Sequence, residues 1–146
     1  MGKRGIKDVL IVDDDASIRN LICTVLTRAG LSCDTAADGV VAMEQLMATR
    51  YAIMLLDQMM PRLDGAGVLN ELRGLPIADI DRPIVLMVTA STDRDALTNV
   101  SDMVQVLVKK PFDIHLLRDL VHDCVTARGR ERRGSDFVVR DRPTPG

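Results

Sequence analysis

The chain has 146 residues, 47% of them hydrophobic and 27% charged, and a formal net charge of −2. That balance suits one globular domain with a short tail and excludes global disorder. No apolar run approaches the roughly 18 residues of a membrane span, and the N-terminus turns polar before a signal-peptide core could form, so no membrane association and a cytoplasmic location are expected.

In chain order, two hydrophobic periods alternate. Val9-Leu10-Ile11-Val12 reads as a strand buried on both faces. Ile18, Leu21, Ile22, Val25, Leu26 and Ala29 follow at helical spacing. Asp15 is placed to cap that helix and Gly30 to end it. A strand over Leu31–Thr35 precedes a helix capped by Asp38 and carrying Val40, Met43, Leu46 and Met47. Ala52–Leu56 is the third strand, and the helix after Gly65 carries Val68, Leu69 and Leu72. Ile84–Val88 is the fourth strand. Thr92 and Asp95 form a capping box before a helix with Ala96, Leu97, Val100 and Met103. Val104–Val108 is the fifth strand, and Asp113 caps a last helix with Leu117, Leu120, Val121, Cys124 and Val125.

Residues 129–146 break the pattern and read as a flexible Arg-, Gly- and Pro-rich tail behind a domain over 1–128. Residues 1–127 hold 13 Lys/Arg against 18 Asp/Glu, a net of −5, while residues 128–146 hold six Arg against three acids, a net of +3. An acidic folded part repels nucleic acid, so no direct nucleic-acid partner is expected. Arg128, Arg130, Arg132 and Arg133 read as a solvated continuation of the last helix. Cys23, Cys33 and Cys124 contain no C-x-x-C pair and read as buried thiols.

Five strands alternating with five helices demand a parallel sheet with helices on both faces. Right-handed crossovers favour the order 2-1-3-4-5, a doubly wound α/β, flavodoxin-like sandwich. In such a sheet ligands bind beyond the carboxyl ends of strands one and three, where the strand order reverses. Asp13-Asp14-Asp15 follow strand one and Asp57 ends strand three. Crowded carboxylates repel unless a cation compensates, and Mg²⁺ takes such oxygen ligands. Strands four and five end at Thr89-Ala90-Ser91 and Lys109-Lys110-Pro111-Phe112, adding a hydroxyl and an ammonium. A carboxylate in that company can attack phosphorus and become an acyl phosphate.

The motifs Val9-Leu10-Ile11-Val12-Asp13-Asp14, Leu55-Leu56-Asp57-Gln58-Met59-Met60-Pro61-Arg62-Leu63-Asp64-Gly65, Val88-Thr89-Ala90 and Lys110-Pro111-Phe112 occur in that order, each at a strand end. Together they resemble a response-regulator receiver domain of two-component signalling, similar to single-domain chemotaxis regulators. The resemblance implies that Asp57 is the phosphoacceptor, and that Asp13, Asp14, Asp57 and the Met59 carbonyl hold Mg²⁺. It implies that Lys110 pairs with the phosphoryl group, that Thr89 donates its hydroxyl to it, and that the Lys110–Pro111 bond is cis. A histidine kinase or histidine phosphotransfer protein would donate the phosphoryl group. A downstream protein would read a face built from helix four, strand five and helix five, and phosphorylation-dependent dimerisation is compatible with the family. The chain would then be a bacterial stand-alone switch that catalyses only its own phosphorylation and dephosphorylation. Residues 103–106 lack the glycine frequent before strand five, and Leu107 stands where many receivers carry an aromatic residue, so coupling must use aliphatic packing or movement of helix four. Lys109, of opposite strand parity to Lys110, is expected to face solvent, as are His115 and His122.

Alternatives are a fragment of a longer regulator or hybrid kinase, a phosphorylation-independent scaffold, and an aspartate-nucleophile phosphatase using Asp13-x-Asp15. A nucleotide-binding domain is disfavoured, because neither G-x-G-x-x-G after strand one nor G-x-x-x-x-G-K-[ST] occurs.

Overall fold

The computed structural model describes residues 5–90 and 95–131. Five parallel strands form one sheet: β1 (Gly5–Val12), β2 (Cys33–Ala36), β3 (Thr49–Asp57), β4 (Ile84–Thr89) and β5 (Val106–Lys109). Their order is β2-β1-β3-β4-β5, as the alternating pattern predicts. The helices are α1 (Ala16–Arg28), α2 (Gly39–Ala48), α3 (Gly65–Arg73) and α4 (Ile114–Glu131).

Strand parity divides the core into two layers. Val9, Ile11, Ile53, Leu55, Leu86 and Val88 pack against Ile22 and Leu26 of α1 and Leu117, Val121 and Cys124 of α4. Leu10, Val12, Met54, Leu56, Val85 and Met87 pack against Ala42 and Leu46 of α2 and Val68, Leu69 and Leu72 of α3. Continuous apolar runs in β1, β3 and β4 follow from burial on both faces.

The local caps form where the sequence places them. Asp15 accepts from the backbone N–H groups of Ser17 and Ile18, and Asp38 from that of Val41. Asp113 accepts from His115 and Leu116. Gly30, just past α1, takes φ +90°, a conformation that favours glycine. The Lys110–Pro111 bond is cis.

The fourth helical segment differs from expectation. Asp95–Met103 is a 3₁₀ helix rather than an α-helix. Its Thr98, Asn99, Ser101 and Asp102 are short polar residues that compete for backbone groups. Ser101 donates its hydroxyl to the Thr98 carbonyl at 3.2 Å. Arg73 of α3 takes the Asn99 carbonyl at 3.0 Å, an acceptor that an α-helix would use itself, and pairs with Asp102. Thr92 of the expected capping box lies outside the described residues.

Strand boundaries shift for related reasons. The Leu31 amide still closes onto Leu26 of α1, so β2 starts at Cys33. The Val104 amide bonds to Ser101, so β5 starts at Val106.

The last helix continues past residue 128 to Glu131, and residues 132–146 of the expected tail lie outside the described residues. Arg128 is not solvated: it is 8% exposed and donates to the Arg82 carbonyl. Among the cysteines only Cys124 is buried, while Cys23 and Cys33 are half-buried against the α1/α4 layer. His115 and His122 are exposed.

Candidate functional site

Strand parity and register assemble the site. Val12 pairs with Leu56 across β1 and β3, which sets Asp13 beside Asp57. Both continue the 9-11 and 53-55 series on the α1/α4 side. Lys110 continues the Val106-Val108 series of β5 on that same side. Lys109, of opposite parity, is exposed. Three charged groups from strands that are not all neighbours thus converge at one end of the sheet.

Their geometry is close. The Lys110 ammonium lies 3.4 Å from Asp57 Oδ2 and 3.7 Å from Asp13 Oδ2. Carboxylate oxygens of Asp13, Asp14 and Asp57 all lie within 4.8 Å of one another. Asp13 and Asp57 are buried, and Asp14 is exposed at the mouth. Burial raises the Asp57 carboxyl above its ordinary pKa, and the neighbouring Asp13 charge raises it further. The Lys110 cation and the Met59 N–H, which donates to Asp57 Oδ1 at 3.4 Å, act in the opposite direction.

A hard divalent cation fits this donor set. Three carboxylates within 4.8 Å of one another leave uncompensated negative charge, and Lys110 supplies one positive charge for the buried pair. Oxygen-only donors with an exposed side match the coordination habits of Mg²⁺.

The surrounding backbone holds the group in place. Asp13 Oδ1 accepts from the Asp15 N–H at 2.8 Å, and the Asp13 carbonyl accepts from Arg19 at 2.8 Å. Thr89 is buried at the end of β4, and its carbonyl accepts from the Lys110 N–H at 2.9 Å. Met59 stands at the rim and is 65% exposed. Leu107, of opposite strand parity to Val106 and Val108, is exposed.

Two contributors escaped sequence reading. Arg19 reaches back from α1 to Asp13, and nothing in its i, i+6 spacing signals that bond. Gln58 is a buried polar residue directly after Asp57, bonded to the first turn of α3. Strand parity could have placed Gln58 inside, since it continues the 54-56 series.

The family model for the response regulator receiver domain matches residues 9–122. A probable transcriptional regulator, ycf27 of Cyanophora paradoxa, is 37% identical over 106 residues, covering 73% of this chain and 43% of that protein. The response regulator MprA of Mycobacterium tuberculosis is 32% identical over 109 residues, covering 75% of this chain and 46% of that protein. The chain thus spans less than half the length of these relatives. Among solved structures, a signal receiver domain from Bermanella marisrubri is similar at 34% identity and a TM-score of 0.70, covering 84% of this chain and 99% of that one.

Proposed function

The chain belongs to the response regulator receiver domain family of two-component signalling, and on that premise we propose that it is a phosphoacceptor switch with Asp57 as the acceptor. The observation that carries this reading is the meeting of Asp13, Asp14, Asp57 and Lys110 at the carboxyl ends of β1, β3 and β5.

A carboxylate oxygen of Asp57 attacks the phosphorus of a histidyl or acyl phosphate. The new P–O bond forms as the bond to the donor breaks, and the donor leaves as imidazole or carboxylate. Lys110, already paired with Asp57, balances the charge of the incoming phosphoryl group. That group adds about two negative charges and three acceptor oxygens. In this reading Asp13, Asp14, Asp57 and the Met59 carbonyl would hold Mg²⁺, supported by the grouping of the three carboxylates; the ion would supply charge compensation for the phosphoryl oxygens.

Thr89 in this reading answers the phosphoryl group with its hydroxyl, a role supported by its burial at the end of β4. Its carbonyl bond to Lys110 couples β4 to β5, so a shift at Thr89 reaches the face made by the 3₁₀ helix, β5 and α4. The donor in this reading is a histidine kinase or phosphotransfer protein, and the reader is a protein bound at that face. The receiver unit in this reading includes α4 as far as Glu131, three residues past the expected boundary at 128. No helix of the described residues is long and apolar enough to cross a membrane.

A second reading concerns the output. The names and greater length of the relatives favour a receiver that controls transcription, through further sequence or through a partner. Under this reading phosphorylation alters operator occupancy in the assembled regulator.

The test is Mg²⁺-dependent phosphorylation by a small acyl-phosphate donor, read by intact mass. One added phosphoryl group, lost in Asp57→Ala and with chelator, is the expected result. Equal labelling of Asp57→Ala would overturn the assignment of the acceptor.

A further inference from the structure

Gln58 follows the proposed phosphoacceptor and is 5% exposed. A buried amide is costly unless its donor and acceptor are satisfied. Here the side-chain Oε1 accepts from the Ala66 N–H at 2.8 Å. Its Nε2 donates to Asp64 Oδ2 at 3.4 Å, while Asp64 Oδ1 caps α3 by accepting from Gly67 at 2.8 Å. The amide is oriented by these partners, since the reverse orientation would set donor against donor at Ala66.

The backbone of Gln58 is held as firmly. Its N–H donates to the Val88 carbonyl of β4 at 3.1 Å, and its carbonyl accepts from the Gly65 N–H at 3.0 Å. Gly65 packs so closely that a Cβ there would lie 2.9 Å from Gln58 Oε1. One residue therefore joins the end of β3, the end of β4 and the first turn of α3. The loop from Met59 to Asp64 leaves from Gln58 and returns to its side chain. Met59, in that loop, bonds to Asp57 through its N–H.

We infer that Gln58 is a positioning residue for the cation site: its side-chain amide pins the β3–α3 loop so that the Met59 backbone keeps its place beside Asp57. The residue touches neither phosphoryl group nor cation; it acts through the loop it closes. A methionine fills similar volume but offers no amide, so it would leave the Ala66 N–H without this acceptor and the loop free to shift. The inference rests on the phosphoacceptor reading above.

The experiment is a calorimetric titration of the whole chain with MgCl₂, without phosphoryl donor, for wild type, Gln58→Met and Tyr51→Phe. Tyr51 is buried near the start of β3, away from the loop, and its hydroxyl bonds to Asp34 and Gln45, so its variant reports lost stability alone. Gln58→Met is expected to bind Mg²⁺ about tenfold more weakly, the low end for residues that support metal ligands, with Tyr51→Phe at wild-type affinity. Gln58→Met at wild-type affinity, or equal weakening in both variants, would overturn the positioning role. Wild type that binds no Mg²⁺ would overturn the metal assignment itself. If Gln58→Met gives no cooperative unfolding transition, Asp64→Asn decides, titrated at high salt: it keeps the cap acceptor and sets a donor against Nε2, and salt screens the effect of the lost carboxylate charge. A two- to threefold loss, about 0.4–0.7 kcal/mol, is then expected, and wild-type affinity would overturn the inference.

Discussion

Replacing Gly65 with alanine tests how tightly the acceptor strand is built against α3. Gly65 opens α3, and its backbone lies outside the left-handed region, so alanine fits the local conformation. The obstacle is steric. An added Cβ would lie 2.8 Å from the Asp57 carbonyl oxygen, 2.9 Å from Gln58 Oε1 and 3.0 Å from Gln58 Cα. Relaxed contacts need about 3.5 Å, so something must yield by roughly 0.5–0.7 Å. The nearest atoms are backbone at the end of β3, which the sheet ladder holds. Overpacking of this kind costs about 1–3 kcal/mol, offset by at most ~0.5–1 kcal/mol of helix gain over glycine. A net loss of about 1–2 kcal/mol lowers Tm by roughly 3–8 °C for a domain of this size. Labelling by an acyl-phosphate donor slows as well, because the atoms displaced carry Asp57. Gly74→Ala is the matched control: its Cβ would meet nothing nearer than 3.6 Å, and its φ is −83°. That variant is expected to hold or slightly raise Tm and to label normally. Gly65→Ala melting at or above wild type, with normal labelling, would refute the steric reasoning.

Other perturbations test the site's charge and the far end of the sheet. Asp57→Asn is expected to stabilise the metal-free protein at pH 7.5 and to change nothing at pH 3. The Asp57 pKa is raised on folding, by burial first and Asp13 second, so its penalty is absent below the unfolded carboxylate pKa and grows as pH rises through the folded one. Thermal melts in chelator at both pH values check the sign. Lys110→Ala removes the cation nearest Asp57 and should slow labelling about tenfold, for a charge-assisted contact of about 1.5 kcal/mol. An unchanged initial rate by mass spectrometry would count against a role in phosphoryl capture. Tyr51→Phe deletes a buried hydroxyl placed 2.6 Å from Asp34 and 2.9 Å from Gln45. About 1–2 kcal/mol of stability should be lost by denaturant unfolding, with labelling unaffected.

The two hydrophobic periods made the alternation of strands and helices legible, and the crossover rules left few orders for the sheet. Because ligands gather at the carboxyl ends of such strands, Asp13, Asp57 and Lys110 could be read as one site from strand ends alone. Caps at Asp15, Asp38 and Asp113 were equally legible, since each depends on side chains within three residues. Other features rest on contacts between distant segments. Val100 and Met103 kept a helical apolar stripe, yet Arg73 from α3 took the Asn99 carbonyl and the segment is 3₁₀. Arg128 read as solvated, yet α4 brings it to the Arg82 carbonyl, where it is buried. Arg19 and Gln58 reach Asp13 and α3 only once the chain has folded back on itself. Periodicity and capping are local and were determined by the sequence itself. The competition for backbone acceptors and the closing of the loop after Asp57 were decided by tertiary structure, because their partners lie in other elements.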